Sequence, residues 1–97
     1  MFIISLTYIK DLKIVEEHLK DHVEYLKEQY SKGYFMASGR KVPRTGGVIL
    51  SNIKDKKDLM EVLKEDPFYK NEVAKYEITQ FIPSMTSKKL DFLREEL

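Results

Sequence analysis

Along the chain, apolar residues first alternate with polar ones and then recur at spacings of three and four. From Phe2 to Ile9 the residues are largely β-branched or aromatic, with Ser5 and Thr7 alternating against Ile4, Leu6 and Tyr8. That period of two predicts a strand with one drier face. The pattern changes at Asp11. Ile14, Val15, Leu19, His22, Val23, Leu26 and Tyr30 step along one stripe on a background of Glu, Lys and Asp, which predicts an amphipathic helix capped by Asp11. Gly33 follows the last periodic residue and suits the helix end, since glycine enters the left-handed region without a Cβ clash.

Tyr34 to Gly39 predicts a second strand, and Gly47 leads into a third, Val48 to Ser51, near enough in sequence to pair antiparallel with it. Residues 40–46, with Pro43 and the Gly46-Gly47 pair, read as the loop between them. A second helix follows, capped by Ser51, Asn52 or Asp55, with Leu59, Met60, Leu63 and Val62 as its apolar positions. Asp66-Pro67 ends it, because the residue before proline is pushed out of the helical region. Val73 to Ile82 predicts a fourth strand stopped by Pro83, and Thr86 or Ser87 opens a terminal helix, about 86–96, through Leu90, Leu93 and Leu97.

The order β-α-β-β-α-β predicts an α+β fold, a ferredoxin-like sandwich over 2–83 with a C-terminal helix, all in one domain of 97 residues. Right-handed crossovers put both long helices on one face of the sheet and leave the other face open. The bulky strand residues Phe2, Ile4, Tyr34, Phe35, Ile49, Tyr76 and Phe81 argue for burial against a second copy, as in a dimeric α/β barrel. A chain this short buries only about 60–70% of its unfolded surface, which adds to the expectation of a homodimer or larger assembly.

Composition then removes whole classes of function. Lys plus Arg number 17 against 16 Asp plus Glu, a net charge of +1, so there is no basic excess to hold nucleic acid or an anionic membrane. RNA-recognition motifs share the strand order, but Thr45 to Asn52 lacks the aromatic residues their third strand needs. No apolar run approaches the roughly 20 residues that span a bilayer, and Met1 to Ser5 has none of the marks of a signal peptide, so a cytoplasmic protein is expected. The absence of cysteine excludes disulfides, a thiol nucleophile and cysteine-ligated metal.

Three places could carry chemistry. His22 sits between Leu19 and Leu26 on the apolar stripe, where leucine would pack better; imidazole titrates near neutral pH and serves as a general acid or base. The competing account is a hydrogen-bonded core histidine. Asp66 can orient that imidazole or receive a proton, or it can be no more than a turn residue before Pro67. The loop from Ser38 to Gly47 sets Arg40, Lys41 and Arg44 among glycines and could hold an anion through backbone N–H groups and Arg44, or be a solvated hairpin tip. It is not a P-loop, because the Gly-x-x-x-x-Gly-Lys-Ser/Thr spacing is missing. His18 and His22 have the four-residue spacing of helical metal ligands, but the chain holds only 2 histidines and any third ligand would have to be a carboxylate; no metal and no cofactor is expected.

Laid out together, these features resemble the YciI-like family. The resemblance rests on Leu6-Thr7-Tyr8, His22 followed by Tyr25-Leu26, and Gly33 with Phe35 to Gly39, together with Pro43 to Leu50 and Glu65-Asp66-Pro67-Phe68. Arg40 departs from it, since many relatives have proline after the Ser-Gly pair. The resemblance implies a dimeric α/β barrel with a cleft in each subunit and a His–Asp pair matching His22 and Asp66. Ser38, Arg44 and Gly47 would lie near the cleft as substrate-binding positions. A few relatives remove chloride from hydroxylated rings, which implies acid/base proton transfer on a small anionic or phenolic molecule. The alternative is a dimeric protein that binds such a molecule without turning it over.

Overall fold

The change of period at Asp11 is where the first strand gives way to the first helix. In the computed structural model, which describes residues 1–97, the elements are β1 (Phe2–Tyr8), α1 (Leu12–Ser31), β2 (Phe35–Arg40), β3 (Gly46–Ser51), α2 (Lys56–Leu63), α3 (Pro67–Lys70) and β4 (Ala74–Gln80). The Asp11 side chain accepts from the Ile14 N–H and satisfies one of the orphan donors of the first turn. At the other end Gly33 takes φ +77°, while its N–H bonds the Tyr30 carbonyl and the next N–H bonds that of Gln29. That is the paired closure that a left-handed glycine permits.

The strands form one antiparallel sheet in the order β2-β3-β1-β4, the ferredoxin-like arrangement. Register decides which residues meet. Ile4 pairs with Ile49 and Ile78, and Leu6 pairs with Gly47 and Tyr76, so all of these share the face turned toward the helices. Phe2, Ile4, Leu6, Phe35 and Ile49 from the sheet join Val15, Leu59, Leu63 and Phe68 in the core. Each such side chain contributes on the order of 1.5–3 kcal/mol through burial.

The same register corrects the reasoning about the open face. Phe2, Ile4, Phe35 and Ile49, read above as material for a subunit interface, are spent inside the protomer's own core. The outward positions are instead Ile3, Ser5, Thr7, Val48 and Leu50, with Lys75, Glu77 and Thr79 along β4. Three further expectations change. Of the α1 stripe, Val23 and Tyr30 stay more than a third exposed, whereas Tyr25 and Gln29 are buried, because the helix is rotated toward α3. Helix α2 stops at Leu63, and Asp66-Pro67 opens the next helix rather than closing this one. Proline fits there because the first helical position has no use for an N–H and wants its preset φ. The terminal segment is a 3-10 turn, Lys88–Leu93, kinked at Leu90, with no buried residue. A few residues without a packed face do not hold an α-helix.

Candidate functional site

Helices α1 and α3 lie against each other, and the site begins where they touch. Asp66 is the N-cap of α3, its Oδ1 accepting from the Phe68 N–H at 2.9 Å. The same oxygen lies 2.7 Å from Nδ1 of His22 on α1. The other oxygen, Oδ2, accepts from the Tyr76 hydroxyl of β4 at 2.6 Å. Asp66 is wholly buried and His22 nearly so. A buried carboxylate this well supplied with donors is stable only because each bond replaces lost hydration.

The arrangement sets the tautomer of the histidine. Burial, then the charge of Asp66, push the Tyr76 phenol above its ordinary pKa, so its hydroxyl keeps the proton and donates. A carboxylate only accepts, so Nδ1 of His22 carries a hydrogen, and in the neutral imidazole the lone pair is on Nε2. Phe68 covers one face of the imidazole, stacked at 3.9 Å between centroids and 2° between planes. The Tyr25 hydroxyl ties α1 to the end of α2 through the Val62 carbonyl at 2.7 Å, and burial, then Asp66, also raise that phenol's pKa.

Beyond His22 opens a cleft of about 160 Å³ between α1 and the inner face of the sheet. Its apolar walls include Leu6, Leu19, Val23, Leu26 and Phe68. The volume is close to the roughly 150 Å³ in which an apolar protein cavity holds benzene. Leu19, His22, Val23 and Leu26 of the α1 stripe therefore line the cleft. Polar groups reach it from His22 on one side and from Ser38 and Arg40 on the other.

The expected site residues separate as follows. His22, Ser38 and Gly47 line the cleft, and Asp66 stands behind His22. Ser38 Oγ is hydrogen-bonded to the Tyr30 hydroxyl at 2.5 Å. Gly47 faces inward beside Leu6 and Arg40, and the absence of a side chain keeps that wall low. Its neighbour Gly46 meets a stricter demand: a Cβ there would lie 1.7 Å from the Leu6 carbonyl oxygen. Arg44 does not line the cleft. Its guanidinium pairs with Glu16 of α1 at 2.7 Å, which raises its pKa further, and the cleft-lining Tyr8 adds to this. Two of the hairpin's backbone donors are also engaged, Lys41 N–H with the Gly46 carbonyl and Thr45 N–H with that of Pro43. Arg40 takes the place on the inner face, opposite Gly47 in the register.

Tyr76 and Phe68 are the members of the site that the residue pattern did not single out. Strand parity would have found Tyr76, which pairs with Leu6 and so must face inward. Phe68 follows from Asp66 being a cap, since the residue two positions into a helix lies close to its cap. No group of three or more His, Cys, Asp or Glu side chains is arranged to hold a metal ion. No helix is long and apolar enough to cross a membrane.

Comparison with known proteins places the chain in a family. Among solved structures, the chain is similar to 5-chloro-2-hydroxyhydroquinone dehydrochlorinase from Burkholderia phenoliruptrix AC1100, solved in complex with 2,5-dihydroxybenzoquinone. The TM-score is 0.68 at 14% identity, covering 84% of this chain and 93% of the other, so the likeness is one of fold. No curated protein matches. Residues 1–82, from the first strand through the last, match the family model of the YCII-related domain, and the chain belongs to that family.

Proposed function

We propose that the protein is a cofactor-independent acid/base enzyme, in which His22 moves a proton to or from a small ring compound bound in the cleft. The observation that carries this reading is the 2.7 Å contact between His22 and the buried Asp66, on an imidazole that also forms part of the cleft wall. In the forward sense the Nε2 lone pair takes the proton of a substrate O–H or acidic C–H, and the electron pair of that bond stays on the substrate. The imidazolium is then stabilised by Asp66 and returns its proton to carbon or to a leaving group. No oxidant or reductant enters the step. Asp66 keeps the proton on Nδ1 beforehand and so presents the basic nitrogen to the cleft.

The cleft's size and apolar walls suit a single six-membered ring. The named substrate and bound ligand of the dehydrochlorinase are rings of that kind, which supports hydroxylated aromatics and quinones as the first compounds to try. Loss of HCl from a chlorinated hydroxy-ring, ring-proton isomerisation and lactone isomerisation all require the same proton transfer. Positioned proton transfer contributes about 10²–10⁴-fold to rate. His22→Asn and His22→Gln should therefore lower turnover of the best substrate by about that factor while circular dichroism stays unchanged. Equal turnover by folded variants and wild type eliminates the proposal. Binding without turnover is the second reading, favoured by Asp66 acting also as a helix cap and as the anchor of Tyr76. Under that reading His22→Asn alters affinity alone.

A further inference from the structure

The cleft of the proposed function is asymmetric in charge. Arg40 is the one residue with a permanent charge in its lining. It ends β2 on the inward-facing parity, opposite Gly47, which has no side chain to block the way. The other cations of the hairpin have occupations: Arg44 is bound to Glu16 at 2.7 Å, and Lys41 donates to the Thr7 hydroxyl at 3.2 Å. Arg40 has neither an ion pair nor a side-chain hydrogen bond, and the cleft contributes no Asp or Glu to neutralise it. His22, on α1, has its Nδ1 committed to Asp66.

We infer that Arg40 selects the ligand, and that the cleft takes a single planar ring bearing one oxyanion, a carboxylate or a ring phenolate, held by the Arg40 guanidinium with the ring's exchangeable proton turned toward His22. This rests on the proposed acid/base reading and adds the substrate's charge to it. Guanidinium forms paired, charge-assisted hydrogen bonds with a carboxylate or a deprotonated ring oxygen, and apolar walls around such a contact strengthen it. A neutral ring of the same size would gain the apolar contacts alone. Arg40, as a group that holds the ligand's anion, sets specificity; Arg44, although in the same loop, does not.

Amide chemical-shift titrations test this with stated probes: 2,5-dihydroxybenzoate for the carboxylate, 2,5-dihydroxybenzoquinone for the acidic ring oxygen, and hydroquinone as the neutral ring. Wild type should bind at least one anionic probe about tenfold or more tightly than hydroquinone, the scale of a charge-assisted hydrogen bond. Arg40→Gln should remove that preference and its salt dependence while hydroquinone binding stays the same, and Arg44→Gln should keep both. Whichever of the two anions loses affinity in Arg40→Gln identifies the oxyanion. The inference is overturned if Arg40→Gln keeps the wild-type preference, if hydroquinone binds wild type as well as the anions do, or if no probe perturbs cleft amides. His22→Asn separates this from the parent reading: if it turns over substrate like wild type while Arg40 still governs affinity, the acid/base reading fails and the anion site stands.

Discussion

The two walls of the cleft are built in opposite ways. On the helix side, His22, Asp66, Phe68 and Tyr76 come from α1, α3 and β4, and Asp66 binds all three of the others directly or through the backbone. It is buried, and its oxygens are committed. On the hairpin side, Ser38 and Arg40 are exposed, and Arg44 is half-buried and tied down by an ion pair to Glu16. A wall of interlocked buried polar groups holds a proton-transfer atom to a fraction of an ångström, because every alternative leaves a donor dry. An exposed wall is cheap to change and can be matched to different ligands without disturbing the first. On the proposed reading, chemistry falls to the interlocked side and ligand choice to the adaptable one.

Substitutions break the comparison in order of cost. Asp66→Ala strands the Nδ1 hydrogen, the Phe68 N–H and the Tyr76 hydroxyl together, and should cost at least about 3 kcal/mol in urea unfolding, at roughly 1–3 kcal/mol for each of these unmet buried donors. A cost no larger than that of a surface mutation would show that the helix side is not interlocked. Gly46→Ala comes next, because its Cβ would collide with backbone, which cannot swing aside as a side chain does. It should destabilise by about 1–3 kcal/mol. Tyr76→Phe should cost about 1–2 kcal/mol at neutral pH by leaving Oδ2 of Asp66 short of a donor.

The tyrosines also give the helix side a pH signature. The folded protein holds the protons of Tyr25 and Tyr76 above the ordinary phenol pKa of 10.0, while the unfolded chain releases them there. Below pH 10 both states are protonated and the contribution is complete. Above it the unfolded state binds fewer protons, so stability falls with rising pH, by about 1.4 kcal/mol per pH unit for each phenol. Tyr76→Phe should remove one phenol's share of that slope, read from denaturation midpoints between pH 9 and about 11. The smallest effect is expected on the other wall. Arg44→Gln breaks an ion pair with a solvent-exposed Glu16 and should leave the thermal midpoint unchanged within error.

Much of this was legible before any coordinates. The strand order, the Asp11 cap, the Gly33 helix stop and the pairing of His22 with Asp66 follow the residue pattern and the family resemblance closely. The failures have particular causes. Asp66-Pro67 looks like a stop in one dimension, but the same dipeptide starts a helix when the chain has already turned. Bulky strand residues cannot be divided between two sheet faces without the register, so in the sequence alone residues of the core look like those of a subunit interface. Within the basic loop, Arg40 and Arg44 differ by four positions and not at all in chemistry. Only the strand parity of one and the neighbouring Glu16 of the other tell the cleft-facing cation from the paired one.

The sequence by itself determined the elements and the residue types available for chemistry, because period, caps and turn residues act over a few neighbours and can be read locally. The tertiary structure decided which of those residues meet. His22 and Asp66 stand 44 positions apart and Tyr30 and Ser38 only 8, yet each pair is in contact because helix packing and sheet register brought them together. Burial, tautomer and the loneliness of one guanidinium are properties of that assembly. They come from desolvation and from which partners are left within hydrogen-bond reach, and neither quantity exists in an extended chain.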